Sequence, residues 1–583
     1  MYLVIICIFL LIITAIIYKI YFFTFEGDFG NSIFSESEWR DKNVMIIVPH
    51  QDDEINLAGA TIKNLIDHKI NVIIVFVTNS DTIDFGETRL KEGLAAASFL
   101  GLPEENIIFL GYCNGFRITP DLHFYNADEN IIVHSAKNLT ETYGLINKPE
   151  YCYQTTGNHK KYTKKNLRTD LKQVILQYKP ALIFSVDYDR HPDHKAVSLL
   201  FEECMSEILH TPQNSYFPEI YKGFCYNGSY LGKKDFYKIN LQETMPAEKN
   251  MLNDPYYETD WPPYNWSERV RLPVPKVTLS RTLNSNFIYK ALRKHFTQGI
   301  IHNAKRIINS DQLFWKRSTT SLTYQASITG SSGNLNFLTD FKLCDCPNIL
   351  SSTPIFSGAW IPAGSDTQKK ITFYFDAPKT ISKIILYSTT DRNSNINKIS
   401  ISFNNTHIKY FGPLNNYGKA TAISFDPQYE ISEISISLID ISGNKAGFSE
   451  IEIFSDKNEQ TLLKFIKIMV SNNFAYDYWI PTNCSELLLD LYKYGINEKT
   501  SLFPVNNVEY ILSGNKISFG SNFKQAIIRA EVINNPLIYD QIVITKKSFP
   551  IIFFTKSVQI IDMIFHRCEH ILKSKYIKYF KIK

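Results

Sequence analysis

The sequence predicts an α/β domain built on a doubly wound, mainly parallel sheet, followed by an all-β sandwich and a C-terminal region with helical patterns. Three observations predict it. From about residue 42, wholly apolar runs of strand length alternate with stretches of helical spacing; from about 320, short segments alternate apolar and polar residues between turn-rich gaps; beyond 456 helical spacing returns. Strands that are apolar throughout are covered on both faces, as in parallel sheets flanked by helices. Alternation with period two marks strands with one covered face.

The elements follow in order. Residues 2–18, YLVIICIFLLIITAIIY, carry no charge, and with the aromatics around Lys19 they reach the ~20 residues that cross a hydrocarbon core. They read as an N-terminal membrane anchor over 1–23. A cleaved signal peptide is the alternative; the lack of basic residues before the run, and of a small-x-small site directly after it, speaks against cleavage. Lys19 argues for a cytoplasmic C-terminal side. A polar linker over 24–41 leads to the strand NVMIIVP (43–49), the helix INLAGATIKNLIDH (55–68) and the strand NVIIVFVT (71–78). The helix ETRLKEGLAAASFLG (87–101), the strand NIIFLG (106–111), the helical LRTDLKQVILQYKP and the strand ALIFSV (181–186) continue a domain that extends over 42–318.

The sandwich is placed at 319–456 on ITFYFDA (371–377), ISKIILYS (381–388), KISISF (398–403), ISEISISL (431–438) and SEIEIF (449–454). Residues 457–583 end in SVQIIDMIFHRCEHILKSKYIKYFKIK, which is apolar and basic. Two readings stand for it: a peripheral helix with a solvated lysine face, or a membrane-surface segment drawn by Lys573, Lys575, Lys578, Lys581 and Lys583.

Lys+Arg 62 against Asp+Glu 58 leaves a net charge of +4 over 583 residues, too little for a general polyanion binder, so no nucleic-acid partner is implied. The nine cysteines lack the paired spacing of a zinc ribbon or a disulfide scaffold and read as free thiols; Cys344 and Cys346 form a C-x-C without a second pair of ligands.

Chemistry concentrates at two strand ends. The first strand runs into PHQDDE (49–54), and the strand at 181–186 runs into VDYDRHPDHKAV. If both strands share one parallel sheet, both clusters leave its carboxyl edge, where open α/β sheets place their sites. Together they offer His50, Asp52, Asp53, Glu54, His191, Asp193 and His194. A catalytic divalent ion takes about three protein ligands, and two histidines with one carboxylate suffice. The remaining groups can take a proton or steady a developing oxyanion.

PHQDDE followed by HPDH resembles the N-acetylglucosaminylphosphatidylinositol deacetylases, the PIG-L or LmbE-like zinc deacetylases. TNSD (78–81), RLKEGLAAASFLG (89–101), FLGYCNG (109–115) and KALRKHFTQ (290–298) extend the resemblance over roughly 42–318. It implies a Rossmann-like fold, a Zn2+ cofactor with another divalent ion as the alternative, and hydrolysis of an N-acetyl group on an amino sugar. It further implies His50, Asp53 and His194 as metal ligands and Asp52 as general base. His191 is implied as oxyanion support oriented by Asp193, with Arg89 and Asn114 at sugar hydroxyls. Gln51 stands where the family usually has proline, which bears on the loop's stiffness rather than on the ligands. Glu54 reads as a group behind the ligands or as a helix-start acid.

SGAWIPAGSDTQKKITFYFDAPKTISKIILYS and GFSEIEIFS resemble the discoidin, or F5/8 type C, galactose-binding-like sandwiches. That resemblance implies a glycan-binding module, with Trp360 either stacking on a sugar or serving as a core or rim aromatic. The expected protein is a membrane-anchored deacetylase of N-acetylglucosamine-type sugars in a glycan, glycolipid or glycoconjugate. It is expected at the cell surface, with the cytoplasmic face as the alternative. A non-catalytic glycan-binding surface protein on a retired deacetylase scaffold is the second reading.

Overall fold

The computed structural model describes residues 33–34, 36–81, 86–115, 123–189, 191–225, 230–231, 239–246, 264, 266–298, 309–343, 358–457, 461–520 and 522–580, together with residues 2, 5–10, 12 and 13. Those nine N-terminal residues are helical; the rest of the expected anchor, and Cys344 and Cys346, lie outside the described residues.

The predicted strands form β1 (Asn43–Val48), β2 (Asn71–Thr78), β3 (Ile107–Tyr112) and β4 (Leu182–Val186); β5 (Glu219–Gly223), β6 (Val270–Pro273) and β7 (Asp311–Arg317) join them. They make one seven-stranded sheet in the order β3-β2-β1-β4-β5-β7-β6. The five strands from β3 to β5 are mutually parallel, while β7 runs antiparallel to β5 and β6 antiparallel to β7. Val44 to Val48 are all wholly buried. That is why β1 reads as an unbroken apolar run: it is central, and helices cover both faces.

The covering helices are α1 (Asp53–Asp67), α2 (Gly86–Leu100), α3 (Lys164–Tyr178) and α4 (Pro192–Leu209), with the short α5 (Phe287–Leu292) packed on α1 and α2. The end of the expected linker belongs to this core: Phe34 and Trp39 are buried there, their rings 5.4 Å apart.

The second layer is the sandwich: β8 (Ser327–Gly330), β9 (Lys370–Ser388), β10 (Asn395–Phe403), β11 (His407–Phe411), β12 (Ala420–Ser442) and β13 (Phe448–Phe454). The order is β8-β9-β12-β10-β11, with β13 also on β9. The two segments expected at 371–377 and 381–388 are one long strand. Register shifts between Tyr374 and Ile381 bend it, so its first half pairs with β8 and its second with β13. Trp360 is wholly buried, stacked on Phe448 at 6.0 Å, and its Nε1 donates to Ser332 O. It is a core residue and not a sugar platform.

The C-terminal region is mixed. Phe549–Phe580 is a helix, α6, which meets the helical expectation. Strands occupy most of 465–547, including Phe465–Val470, Gln525–Val532 and Asn535–Lys547. Leu463, Phe465, Phe474 and Tyr476 share the core of the α/β sheet, and Arg281 pairs with buried Asp477 at 3.0 Å.

Candidate metal centre

β1 and β4 are neighbours in register, Val44 opposite Leu182. β2 lies on one side of this pair and β5 on the other, so the strand order reverses between them. Such a switch point opens a crevice at the carboxyl edge, and both polar clusters project into it.

Each loop is built by local chemistry. In HPDH, His191 is the N-cap of α4: its Nδ1 accepts the Asp193 N–H at 3.1 Å, and Pro192 occupies the first turn, where its missing N–H costs nothing. That bond fixes Nδ1 as the lone-pair nitrogen, so the neutral ring carries its proton on Nε2. In PHQDDE, Asp52 sits at φ 125°, a sparsely populated conformation for a residue with a side chain. Two contacts hold it there. Its N–H donates to Glu54 Oε2 at 2.8 Å, and its Oδ1 receives Arg89 Nη2 at 2.9 Å.

The two loops meet around one carboxylate oxygen. Asp53 Oδ2 lies 3.0 Å from His50 Nδ1 and 3.1 Å from His194 Nε2, all three residues being buried. His191 stands beside them, its ring 4.7 Å from that of His50 and 4.8 Å from that of His194. Asp193 was expected to orient His191, but its Oδ2 lies 3.0 Å from His50 Nε2 and 3.9 Å from His191 Nδ1. The N-cap geometry explains this, because His191 turns Nδ1 toward the backbone of Asp193 rather than its carboxylate. Asp193 Oδ1 accepts the Gly115 N–H at 3.1 Å, tying in the loop that carries Asn114. Asn114 is itself buried, its N–H on Asp81. Arg89 is engaged by Asp52 and by Gln51 O.

Burial works against a charged His194, but Asp189 and Asp53 outweigh it and hold its pKa well above the ordinary range. Burial would raise Asp53; His194 and His50 outweigh that and keep it well below the usual carboxylate value. His191 goes the other way, pushed down to about 3 by burial and by the neighbouring His50 and His194, so it is neutral. Burial lifts Asp52 to about 6 against the pull of Arg89.

A divalent ion fits these residues. Asp53 Oδ1 is buried and accepts no hydrogen bond among the described residues, a costly state for a carboxylate oxygen unless a cation faces it. Two donor triads can bring their ligand atoms within 4.8 Å of one another: His50, His191 and His194, and Asp53, His194 and Cys225. The implied set of His50, Asp53 and His194 is joined through Asp53 Oδ2. Imidazole and carboxylate together suit zinc and its neighbours in the first transition row.

Four supporting residues went unassigned in the sequence. Asp189 Oδ2 holds His194 Nδ1 at 2.8 Å and Oδ1 accepts the His191 N–H; it stands inside the quoted VDYDRHPDH, two residues before His191. His295, in KALRKHFTQ, meets Glu54 Oε1 at 2.7 Å, which places Glu54 between that histidine and the Asp52 peptide. Asp81 closes the quoted TNSD, whereas Cys225 stands in no quoted motif. At Gln51, Nε2 donates to Thr78 O and Oε1 accepts Ser80 Oγ–H, both at 2.8 Å. Where the family has a stiff proline, this loop is tied to the end of β2. Gly93 lets α2 come close, since a Cβ there would stand 3.0 Å from Gln51 Cγ.

Residues 45–205 match the family model described as PIG-L, GlcNAc-PI de-N-acetylase, and residues 324–454 match a domain of unknown function, DUF7402. The chain thus carries a PIG-L domain, a deacetylase scaffold, followed by a β-sandwich. No curated protein matches the sequence. Among solved structures, similarity is found to the N,N'-diacetylchitobiose deacetylase of Pyrococcus horikoshii, with 18% identity over 49% of this chain and 88% of that one, TM-score 0.25. A conserved protein of Thermus thermophilus, TT1542, gives 15% identity over 47% and 94%, TM-score 0.26. For the sandwich, the family 32 carbohydrate-binding module of Clostridium perfringens NanJ, solved with galactose, gives 21% identity over 22% and 91%, TM-score 0.17.

Proposed function

We propose that the protein is a metal-dependent hydrolase that removes N-acetyl groups from N-acetylglucosamine-type sugars of a glycan, glycolipid or glycoconjugate. The ion would be zinc or a similar divalent metal, held by His50, Asp53 and His194. In the same reading the apolar segment at residues 2–18 tethers the enzyme to a membrane with the catalytic domain at the cell surface. The observation that carries the proposal is the convergence of His50 and His194 on Asp53 Oδ2, with Oδ1 unpartnered among the described residues, at the β1/β4 switch point.

When bound, the ion supplies Lewis acidity, polarising the acetamide carbonyl and acidifying water. The protein's own groups do the rest. Arg89 occupies Asp52 Oδ1, so Asp52 Oδ2 takes the proton of the attacking water and returns it to the sugar nitrogen as the C–N bond breaks; acetate and the free amine leave. His191 Nε2–H donates to the oxygen that becomes negative on the way, and being neutral it does so without giving up its proton. Asp189 fixes the ring of His194, and Glu54 with His295 fixes the Asp52 peptide. Arg89 positions the base, and Asn114 is the group proposed for the sugar hydroxyls.

The test is acetate release from a panel of N-acetylated sugars by the purified protein, with metal content measured in parallel. Release that needs His50 and His194 supports the proposal; a metal-loaded protein inert on the whole panel refutes it.

A further inference from the structure

Five polar side chains of α6 face the protein, while most of its large apolar ones face outward with the exposed Lys556 and Arg567 at their flank. Gln559 Nε2 donates to Arg281 O at 2.6 Å, and Asp562 accepts from Leu283 N and Asn284 Nδ2 at 3.0 and 2.6 Å. His566 Nδ1 lies 3.1 Å from Tyr289 Oη, and Glu569 takes Arg293 at 2.5 Å. With buried Thr555 these positions step by three and four, a single stripe along the helix. On the opposite side Phe549, Phe553, Phe554, Ile561, Phe565 and Leu572 are 53–76% exposed. A helix at a water-facing surface is arranged the other way round, and a large apolar surface left open marks a contact with a protein or a membrane.

The charge pattern decides between these. After Glu569 the sequence has five lysines, Lys573, Lys575, Lys578, Lys581 and Lys583, and no acidic residue, which suits an anionic lipid surface. We propose that α6 is an interfacial membrane helix, lying in the plane of an anionic bilayer with its outward face at the acyl boundary. Residues 549–569 are long and apolar enough to cross a membrane. The stripe from Thr555 to Glu569 is bound to the α/β domain along that same stretch, however, and a crossing helix would carry it away. The helix therefore lies flat. It sits on α5, which leads through Arg293 to His295 and so to Glu54 behind the candidate base. A bilayer under α6 holds this flank of the catalytic domain toward lipid, the orientation that suits a lipid-linked sugar; only that consequence rests on the deacetylase reading.

Cys568 is exposed, three residues beyond Phe565 on the outward side, and reports on the face directly. The full chain is treated with a charged, water-soluble maleimide, alone and with vesicles of phosphatidylcholine and phosphatidylglycerol, and Cys568 modification is read by peptide mass spectrometry. Modification at least tenfold slower on vesicles is expected, with the solution rate restored by Ile564→Glu/Phe565→Glu. Both positions are exposed, and metal content and circular dichroism verify the variant's fold; if it does not fold, the wild-type comparison decides alone. The proposal is overturned by equal rates with and without vesicles, or by a chain that does not float with them. It is also overturned by protection without vesicles, which would mean that a second copy or the N-terminal segment covers the face. Activity is not read, so failure here leaves the deacetylase test untouched.

Discussion

The proposed mechanism gives the adjacent carboxylates Asp52 and Asp53 different work, and replacing each by asparagine separates them. In Asp52→Asn the amide oxygen still accepts Arg89, the backbone N–H still reaches Glu54, and asparagine tolerates positive φ as readily as aspartate. Neither the loop nor the three ligands should move, so metal content and KM should stay. What is lost is the proton acceptor. A positioned general base contributes about 10²–10⁴ in rate, and at about 1.4 kcal/mol per tenfold that is a barrier higher by roughly 3–6 kcal/mol. The expected result is a fall in kcat of that size at unchanged KM, the signature of an interaction made only along the reaction path. Asp53→Asn should instead lose the ion and the activity together, because it removes the charge on which His50 and His194 converge. The assay pairs acetate release with elemental analysis of each variant. Metal lost from Asp52→Asn and kept in Asp53→Asn would reverse the two roles; normal turnover in Asp52→Asn would refute the mechanism.

Asp189→Asn takes the charge from the partner of His194 Nδ1, and with His194 as the proposed ligand such a change should cost about 10–100-fold in metal affinity; chelator competition measures it, and an unchanged affinity would remove Asp189 from the site. Gln51→Leu strands Thr78 O and Ser80 Oγ, both buried, and should destabilise the fold by about 1–3 kcal/mol in urea unfolding, whereas a null effect would mean that the loop is held by other contacts. At the sheet–sandwich junction, burial pushes Asp340 up to about 7 against Lys342. The folded state thus holds the Asp340 proton more tightly than the unfolded chain. Its contribution to stability is full below about pH 4 and is lost as pH rises through about 7. Asp340→Asn should flatten the decline of Tm between pH 4 and 7, and an equally steep decline in the variant would assign it to other groups.

The α/β domain was legible because central parallel strands must be apolar on both faces, and β1, β2, β3 and β4 announce themselves that way. The C-terminal strands were harder. Phe465–Val470 is buried on two sides, Phe465 in the core of the first sheet and Ile466, Ile468 and Val470 in a second core, which hides a period of two there; Gln525–Val532, by contrast, alternates with period two. Turn signals were nevertheless present. Ser471 and Asn472 both take positive φ between paired strands, and Gly514-Asn515 joins Ser513 to Lys516 in a two-residue hairpin. These are residue pairs that suit the tight turns matching strand twist, and weighing them above the apolar spacing recovers the hairpins.

At the site, the residues that touch one another across the crevice were legible and those behind them were not, for a physical reason. His50, Asp53 and His194 sit at strand ends and helix starts, where the backbone fixes spacing, so a short motif can encode them. Asp189 is equally close to the chemistry but acts through a loop whose path depends on Cys225, whose N–H also reaches its Oδ2 at 3.1 Å. His295 comes from 241 residues beyond Glu54, brought back by the packing of α5 on α1. No local pattern can carry such a contact. Trp360 shows the converse: a tryptophan in a β-rich module invites a stacking role, yet its ring fills the sandwich core and its one polar atom is spent on Ser332 O. α6 joins both lessons, because composition alone left both a solvated helix and a membrane-surface helix open and favoured the first. Only the knowledge that Gln559, Asp562 and His566 face inward turns its phenylalanines outward.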